Sequence, residues 1–181
     1  MHRYVAFLRG MNLGRRRITN DELSAWFEAM GFANVRTFLA SGNVVFDTKK
    51  QPSASLEASI ESGLGESLGY AVPTFVRTAE EVVSTAEHVP FKTSELKESQ
   101  GKVQVAFMAK TPAAAARTAV LKLSTAADRL AIRGRELYWL PQGGVSDSAL
   151  DMRFLDKTLG TLTVRTKRTV ERIVGRYLAP D

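Results

Sequence analysis

Two short runs, far apart in the chain, limit what this sequence can fold into more than any other feature. Val5-Ala6-Phe7-Leu8 and Val105-Ala106-Phe107-Met108 are near copies, and each precedes a segment of helical pattern. A run of this length and β-branched or aromatic content reads as a buried strand. A strand feeding a helix makes a βα unit, which by itself cannot cover its own sheet, so two related units in one α+β protein are expected.

The segments between these strands support that reading. Thr19-Asn20-Asp21-Glu22 is a capping box, in which hydroxyl and carboxylate satisfy each other's first-turn amides. Leu23, Trp26, Phe27 and Met30 then repeat at helical spacing up to Gly31. Leu56, Ile60, Leu64 and Leu68 mark a second helix. Thr78-Ala79-Glu80-Glu81 is a second capping box, and 129–133 with 136–140 predicts a hairpin around Gly134-Arg135. The polar, weakly periodic stretch 91–101 reads as a linker, giving an N-terminal half 1–95 and a C-terminal half 101–181 that can pack as one unit. Trp26 and Trp139 read as core residues.

Composition narrows the function classes. With 44% hydrophobic and 24% charged residues, the chain has globular proportions, which argues against disordered and fibrous classes. No apolar run reaches the roughly 20 residues of a membrane helix, and Met1 leads directly into a strand, so cytoplasmic location is expected with no membrane partner. Cysteine is absent and there are two histidines. Disulfides, thiolate metal sites and cysteine nucleophiles are thereby excluded, and a His-based metal cluster or Ser-His-Asp triad is not expected. No cofactor is implied. The net charge of +6 is unevenly spread, with basic ends around a stretch, 51–100, that holds eight acidic and three basic side chains.

Basic ends direct attention to anions. Arg9-Gly10-Met11-Asn12-Leu13-Gly14-Arg15-Arg16-Arg17 lies between a strand and a helix start, where backbone amides and guanidinium forks suit phosphate or carboxylate. It matches neither a Walker loop nor a dinucleotide fingerprint. Ser41-Gly42-Asn43 is a turn or bulge whose small polar side chains could face a ligand. Arg165 and Arg168 lie in 163–169, which enters the last helix. Cations in a first helical turn oppose the helix dipole unless an anion is bound or the helix begins later. The candidate anion-binding set is therefore Arg9, Asn12, Arg15, Arg16, Arg17, Ser41, Asn43, Arg165 and Arg168.

The residues Tyr4 to Gly14, Met30-Gly31-Phe32, Val35-Arg36-Thr37 and Ser41-Gly42-Asn43-Val44-Val45-Phe46 resemble the Domain of Unknown Function 1697 family. Weaker matches follow at Pro90-Phe91, Glu136-Leu137-Tyr138, Ser148 and 163–170. The resemblance implies two related ferredoxin-like α+β halves with antiparallel or mixed sheets and covering helices, and it implies no reaction. The family's late motif reads Thr-x-Arg-Asn-Trp; Thr163 and Arg165 fit it, whereas Thr166 and Lys167 replace the Asn and Trp.

Three functions follow as expectations. The first is a binding module for a phosphate-bearing small molecule or nucleic acid, although the aromatic-rich RNA-binding strand signature is missing. The second is an enzyme on a small anionic substrate held between the halves by Arg9, Asn12, Ser41, Asn43 and Arg165. The third is a non-catalytic interaction or oligomerisation domain.

Overall fold

The computed structural model describes residues 1–11, 17–40 and 42–179. In chain order the first elements are β1 (His2–Leu8), α1 (Asn20–Ala29), β2 (Ala33–Thr37), β3 (Asn43–Thr48), α2 (Ser53–Leu68) and β4 (Thr74–Thr78). They form a sheet of order β2-β3-β1-β4 in which every neighbouring pair is antiparallel. The Thr19–Glu22 capping box sets the start of α1: the Glu22 amide donates to Thr19 Oγ1 at 3.2 Å, and the Thr19 amide to Glu22 Oε2 at 2.8 Å. Strand alternation sends Tyr4, Ala6 and Leu8 to the helix side, where they meet Leu23, Phe27, Leu56, Ile60 and Leu64 in one buried cluster. Each large apolar side chain placed there contributes about 1.5–3 kcal/mol of transfer free energy.

An open strand edge invites mispairing, and α2 closes the edge of β4. Glu57 Oε1 accepts from the Val76 amide at 2.8 Å, and Glu61 Oε1 accepts from the Thr74 amide at 2.9 Å. The two carboxylates are four residues apart, so they share one helix face. Glu57 Oε1 also lies 3.8 Å from Nη1 of Arg77, whose side chain is wholly buried.

After β4 come α3 (Ala79–Glu87), α4 (Thr93–Ser99), β5 (Gln104–Met108), α5 (Ala114–Leu121), β6 (Asp128–Arg133), β7 (Glu136–Pro141), α6 (Met152–Leu159), β8 (Leu162–Thr166) and α7 (Lys167–Ile173), which runs on into a π turn at Val174–Leu178. The second sheet has the order β6-β7-β5-β8, again antiparallel at each pairing. Its helix-side core holds Ala106, Met108, Val120, Leu130, Leu137, Trp139 and Leu155. Both sheets have the βαββαβ order, which is compatible with ferredoxin-like halves. The sheets are antiparallel rather than mixed. Two compact units result, Met1–Val83 with Ile173–Asp181, and Ser84–Arg172.

The repeat runs deeper than the Val-Ala-Phe echo. Val5 pairs with Arg77, and Val105 pairs with Arg165. The copies Val76-Arg77-Thr78 and Val164-Arg165-Thr166 thus occupy equivalent places, each just before a helix. Each threonine caps that helix, accepting at 3.2 Å from the amide of Glu81 or of Thr169. The last helix therefore begins at Lys167, and Thr166 is its cap.

The polar stretch 91–101 contains α4. Its low periodicity has a local cause: the helix is short, and what it buries is a hydroxyl. Ser99 is 2% exposed and donates from Oγ to the Pro141 carbonyl at 2.6 Å. Among the described residues no helix is long and apolar enough to cross a membrane.

Candidate anion-binding cleft

The sequence-derived candidates are divided between the two units, with Arg9, Arg17 and Asn43 in the first and Arg165 and Arg168 in the second. Asn12, Arg15, Arg16 and Ser41 lie outside the described residues. Arg9 is half-buried at the end of β1, and its amide donates to the Pro73 carbonyl at 2.9 Å. Asn43 is fully buried. Its Nδ2 donates to the Phe38 carbonyl at 2.8 Å, while the Phe38 amide donates back to the Asn43 carbonyl at 2.9 Å, closing the β2–β3 turn. Gly42 in that turn has φ +73°, and an added Cβ would stand 2.9 Å from Met11 Cγ and 3.0 Å from Leu8 Cβ.

Arg165 is buried in β8, and Nη1 donates to Thr163 Oγ1 and to the Val164 carbonyl, each at 2.9 Å. Burial pushes its pKa down to about 10, because the charged form loses solvation. Arg168 borders a recess of about 200 Å³ together with Lys102, Lys167 and Glu171. There Lys167 Nζ donates to Glu171 at 2.7 Å and to the Ala86 carbonyl at 2.5 Å. The lysine in the first turn of α7 is thus compensated internally.

A cleft lined by several guanidinium groups lies elsewhere. In the first unit a cleft of about 420 Å³ is lined by Arg3, Asn34, Arg36, Val45, Arg176, Tyr177 and Ala179. Its floor is the sheet face opposite α1 and α2. Register places Arg3 across from Asp47 and Arg36 across from Val45, and alternation turns these four away from Tyr4, Val35 and Phe46. A bulge between Ala33 and Arg36 gives Asn34 a φ of +50°. Its Nδ2 reaches Asp47 Oδ2 at 2.8 Å.

Asp47 holds Arg3 in a two-pronged pair, Nε to Oδ1 at 2.8 Å and Nη2 to Oδ2 at 3.0 Å. The third prong, Nη1, donates to the Tyr177 carbonyl at 2.9 Å. The Arg3 hydrogen bond, assisted by Asn34 and opposed by burial, holds the Asp47 carboxyl below the usual carboxylate range. Tyr177 is fixed edge-on to Phe38, with ring centres 6.0 Å apart, and its hydroxyl contacts the Thr37 carbonyl at 3.4 Å. The Arg176 guanidinium lies 5.5 Å from the centre of the Tyr177 ring.

Charge is unbalanced in this cleft. Asp47 offsets Arg3, but neither Arg36 nor Arg176 pairs with a carboxylate among the described residues. Both are exposed, so they are hydrated and able to meet an anion. Among the described residues no group of three His, Asp or Glu could hold a metal ion. The sequence reading missed Arg3, Asn34, Arg36 and Arg176 as cleft residues. Alternation about Tyr4 and Val35 was the available signal for Arg3 and Arg36; the i, i+4, i+8 spacing of Arg168, Arg172 and Arg176 marks a basic helix face but not this cleft.

Residues 1–138 match the model of a family described as a protein of unknown function, DUF1697. The chain belongs to this family. The DUF1697 match covers the strands that carry Arg3, Asn34, Arg36 and Asp47, and it ends before the 163–170 segment. A solved structure described as that of a conserved bacterial protein from Streptococcus pneumoniae has the same fold, with a TM-score of 0.73, 17% identity and 99% of each chain covered. None of the curated proteins matches.

Proposed function

We propose that this DUF1697 chain is a binding module for a phosphate-bearing ligand, a nucleotide or a nucleic acid, held in the Arg3–Arg36–Arg176 cleft. The observation that carries this reading is the pair of exposed guanidinium groups, Arg36 and Arg176, beside an Arg3 already oriented by Asp47. Planar guanidinium forks match phosphate oxygens in two-point contacts, and a group oriented in advance loses less entropy on binding. The net charge of +6 favours encounter with polyanions. Binding is preferred to catalysis because the lining offers no acid–base pair: Asp47 is committed to Arg3 and Asn34, and the Tyr177 hydroxyl contacts Thr37.

The test is calorimetric titration with pyrophosphate and with a short single-stranded RNA over a series of salt concentrations. Arg36→Ser together with Arg176→Ser should weaken binding at least tenfold. For the RNA, the slope of log K against log salt should become shallower by about 1.4, at roughly 0.7 per lost contact on a single strand. A parallel variant with Arg15, Arg16 and Arg17 changed to Ser tests the loop. If only the loop variant loses affinity, the cleft is not the site; unchanged binding in both variants refutes the module reading.

A further inference from the structure

The second unit holds a cavity of opposite character, about 330 Å³ in volume, bordered by Leu123, Ala127, Leu150 and Phe154 and by the carboxylates of Asp128 and Asp151. Its apolar wall continues the core of that unit, because Leu123 and Leu150 pack against the cluster that contains Leu130, Trp139 and Leu155. Phe154 remains 36% exposed and adds an aromatic face to this wall.

Both carboxylates are held by hydrogen bonds, Asp128 buried and Asp151 on the exposed rim. Asp128 is 6% exposed, and its Oδ1 accepts from Trp139 Nε1 at 2.7 Å and from Ser148 Oγ at 2.6 Å. Asp151 is the N-cap of α6, its Oδ1 accepting from the amides of Arg153 and Phe154 at 2.9 and 3.0 Å. In each case Oδ1 does the structural task and Oδ2 makes no hydrogen bond among the described residues. No basic side chain borders the cavity. A nine-tenths-buried carboxylate with a spare oxygen, set in an apolar wall, gains most from a cation that brings its own hydrophobic body.

We propose that this cavity binds a small organic cation of the aryl-alkylammonium class, with the ammonium group at Asp128 and Asp151 and the ring against Leu123, Leu150 and Phe154. The inference is independent of the anion-binding cleft, which lies in the other unit.

The chain supplies its own reporter. It has two tryptophans; Trp139 bonds to Asp128, whereas Trp26 packs in the first unit. Phenethylammonium is titrated into the full chain while the two indole N–H resonances are followed by NMR. The Trp139 signal should shift and saturate while the Trp26 signal stays in place, and 2-phenylethanol, the neutral analogue, should bind at least tenfold more weakly. Asp151→Asn removes a charge but keeps a good N-cap, and it should weaken ammonium binding at least fivefold without lowering the melting temperature. Asp128→Asn, which retains an oxygen acceptor for Trp139 and Ser148, should weaken ammonium binding by a similar factor and serves as an independent variant. Equal binding of alcohol and ammonium, parallel shifts of both indoles, or a Trp139 signal unmoved at tens of millimolar ligand would each overturn the proposal.

Discussion

Asp47→Asn should move stability and anion affinity in opposite directions. The Asp47 side chain is 9% exposed and that of its partner Arg3 is 43% exposed. Hydrogen bonds to charged groups contribute about 1.5–3 kcal/mol when buried. The half-exposed arginine reduces this, because solvent already screens it, and about 1–2 kcal/mol is the expected loss. That corresponds to a fall in melting temperature of about 3–6 °C for a chain of this size. Asparagine is nearly isosteric and keeps an acceptor for Asn34, so the bulge at β2 should survive. An anion bound on the far side of the Arg3 guanidinium would sit about 6 Å from the lost negative charge. Removing a repulsion at that distance, at an effective dielectric constant of about 40–80, contributes about 0.7–1.4 kcal/mol, or a three- to tenfold gain in affinity. The assays are urea unfolding and pyrophosphate titration at pH 7. Weaker binding by the Asn variant would refute this charge balance and would show that the orientation Asp47 gives Arg3 outweighs its repulsion of the anion. The pH dependence follows with the same sign. The folded-state value of Asp47 is depressed, so its contribution is present above the ordinary carboxylate range and is lost as pH falls through the lower folded value. The Asn variant should show a correspondingly flatter loss of stability in acid.

Other perturbations test the fold around these sites. Gly42→Ala introduces a Cβ at φ +73° against Met11 and Leu8 and should destabilise by about 1–3 kcal/mol; an unchanged urea midpoint would show that the turn relaxes freely. Glu57→Ala takes a carboxylate from the Val76 amide and from the neighbourhood of buried Arg77, at a cost of about 3 kcal/mol in chemical unfolding; a loss below about 1 kcal/mol would mean that the edge of β4 does not need it. His88 packs edge-on to Tyr138, and burial first, then the charges of Arg133 and Lys167, lower its pKa. Its ring protons should titrate below 6.5 in NMR, and stability should decline as pH falls below that value, since the unfolded chain takes up the proton first. A midpoint at or above 6.5 would contradict this packing.

What the sequence determined was set by neighbours along the chain. Thr19–Glu22 and Thr78–Glu81 each bring their hydrogen-bonding partners within one helical turn, so the starts of those helices were legible. The apolar period of α2 and the alternation of β1 likewise revealed which face of each is buried. The paired Val-Arg-Thr copies were also present in the sequence, but only the register of β4 on β1 and of β8 on β5 shows that Arg77 and Arg165 are equivalent. Helix α4 stayed hidden because it is held by hydroxyl-to-carbonyl and amide contacts with residues around 141–143, far along the chain. The guanidinium cleft was beyond local reading for the same reason. Arg3, Arg36 and Arg176 belong to segments that share no local pattern, and antiparallel pairing together with the return of Tyr177 to Phe38 brings them to one cavity. Short-range hydrogen bonding and hydrophobic period are properties of sequence; which distant charges meet depends on strand register and on where the last helix docks, and only the tertiary structure decided both.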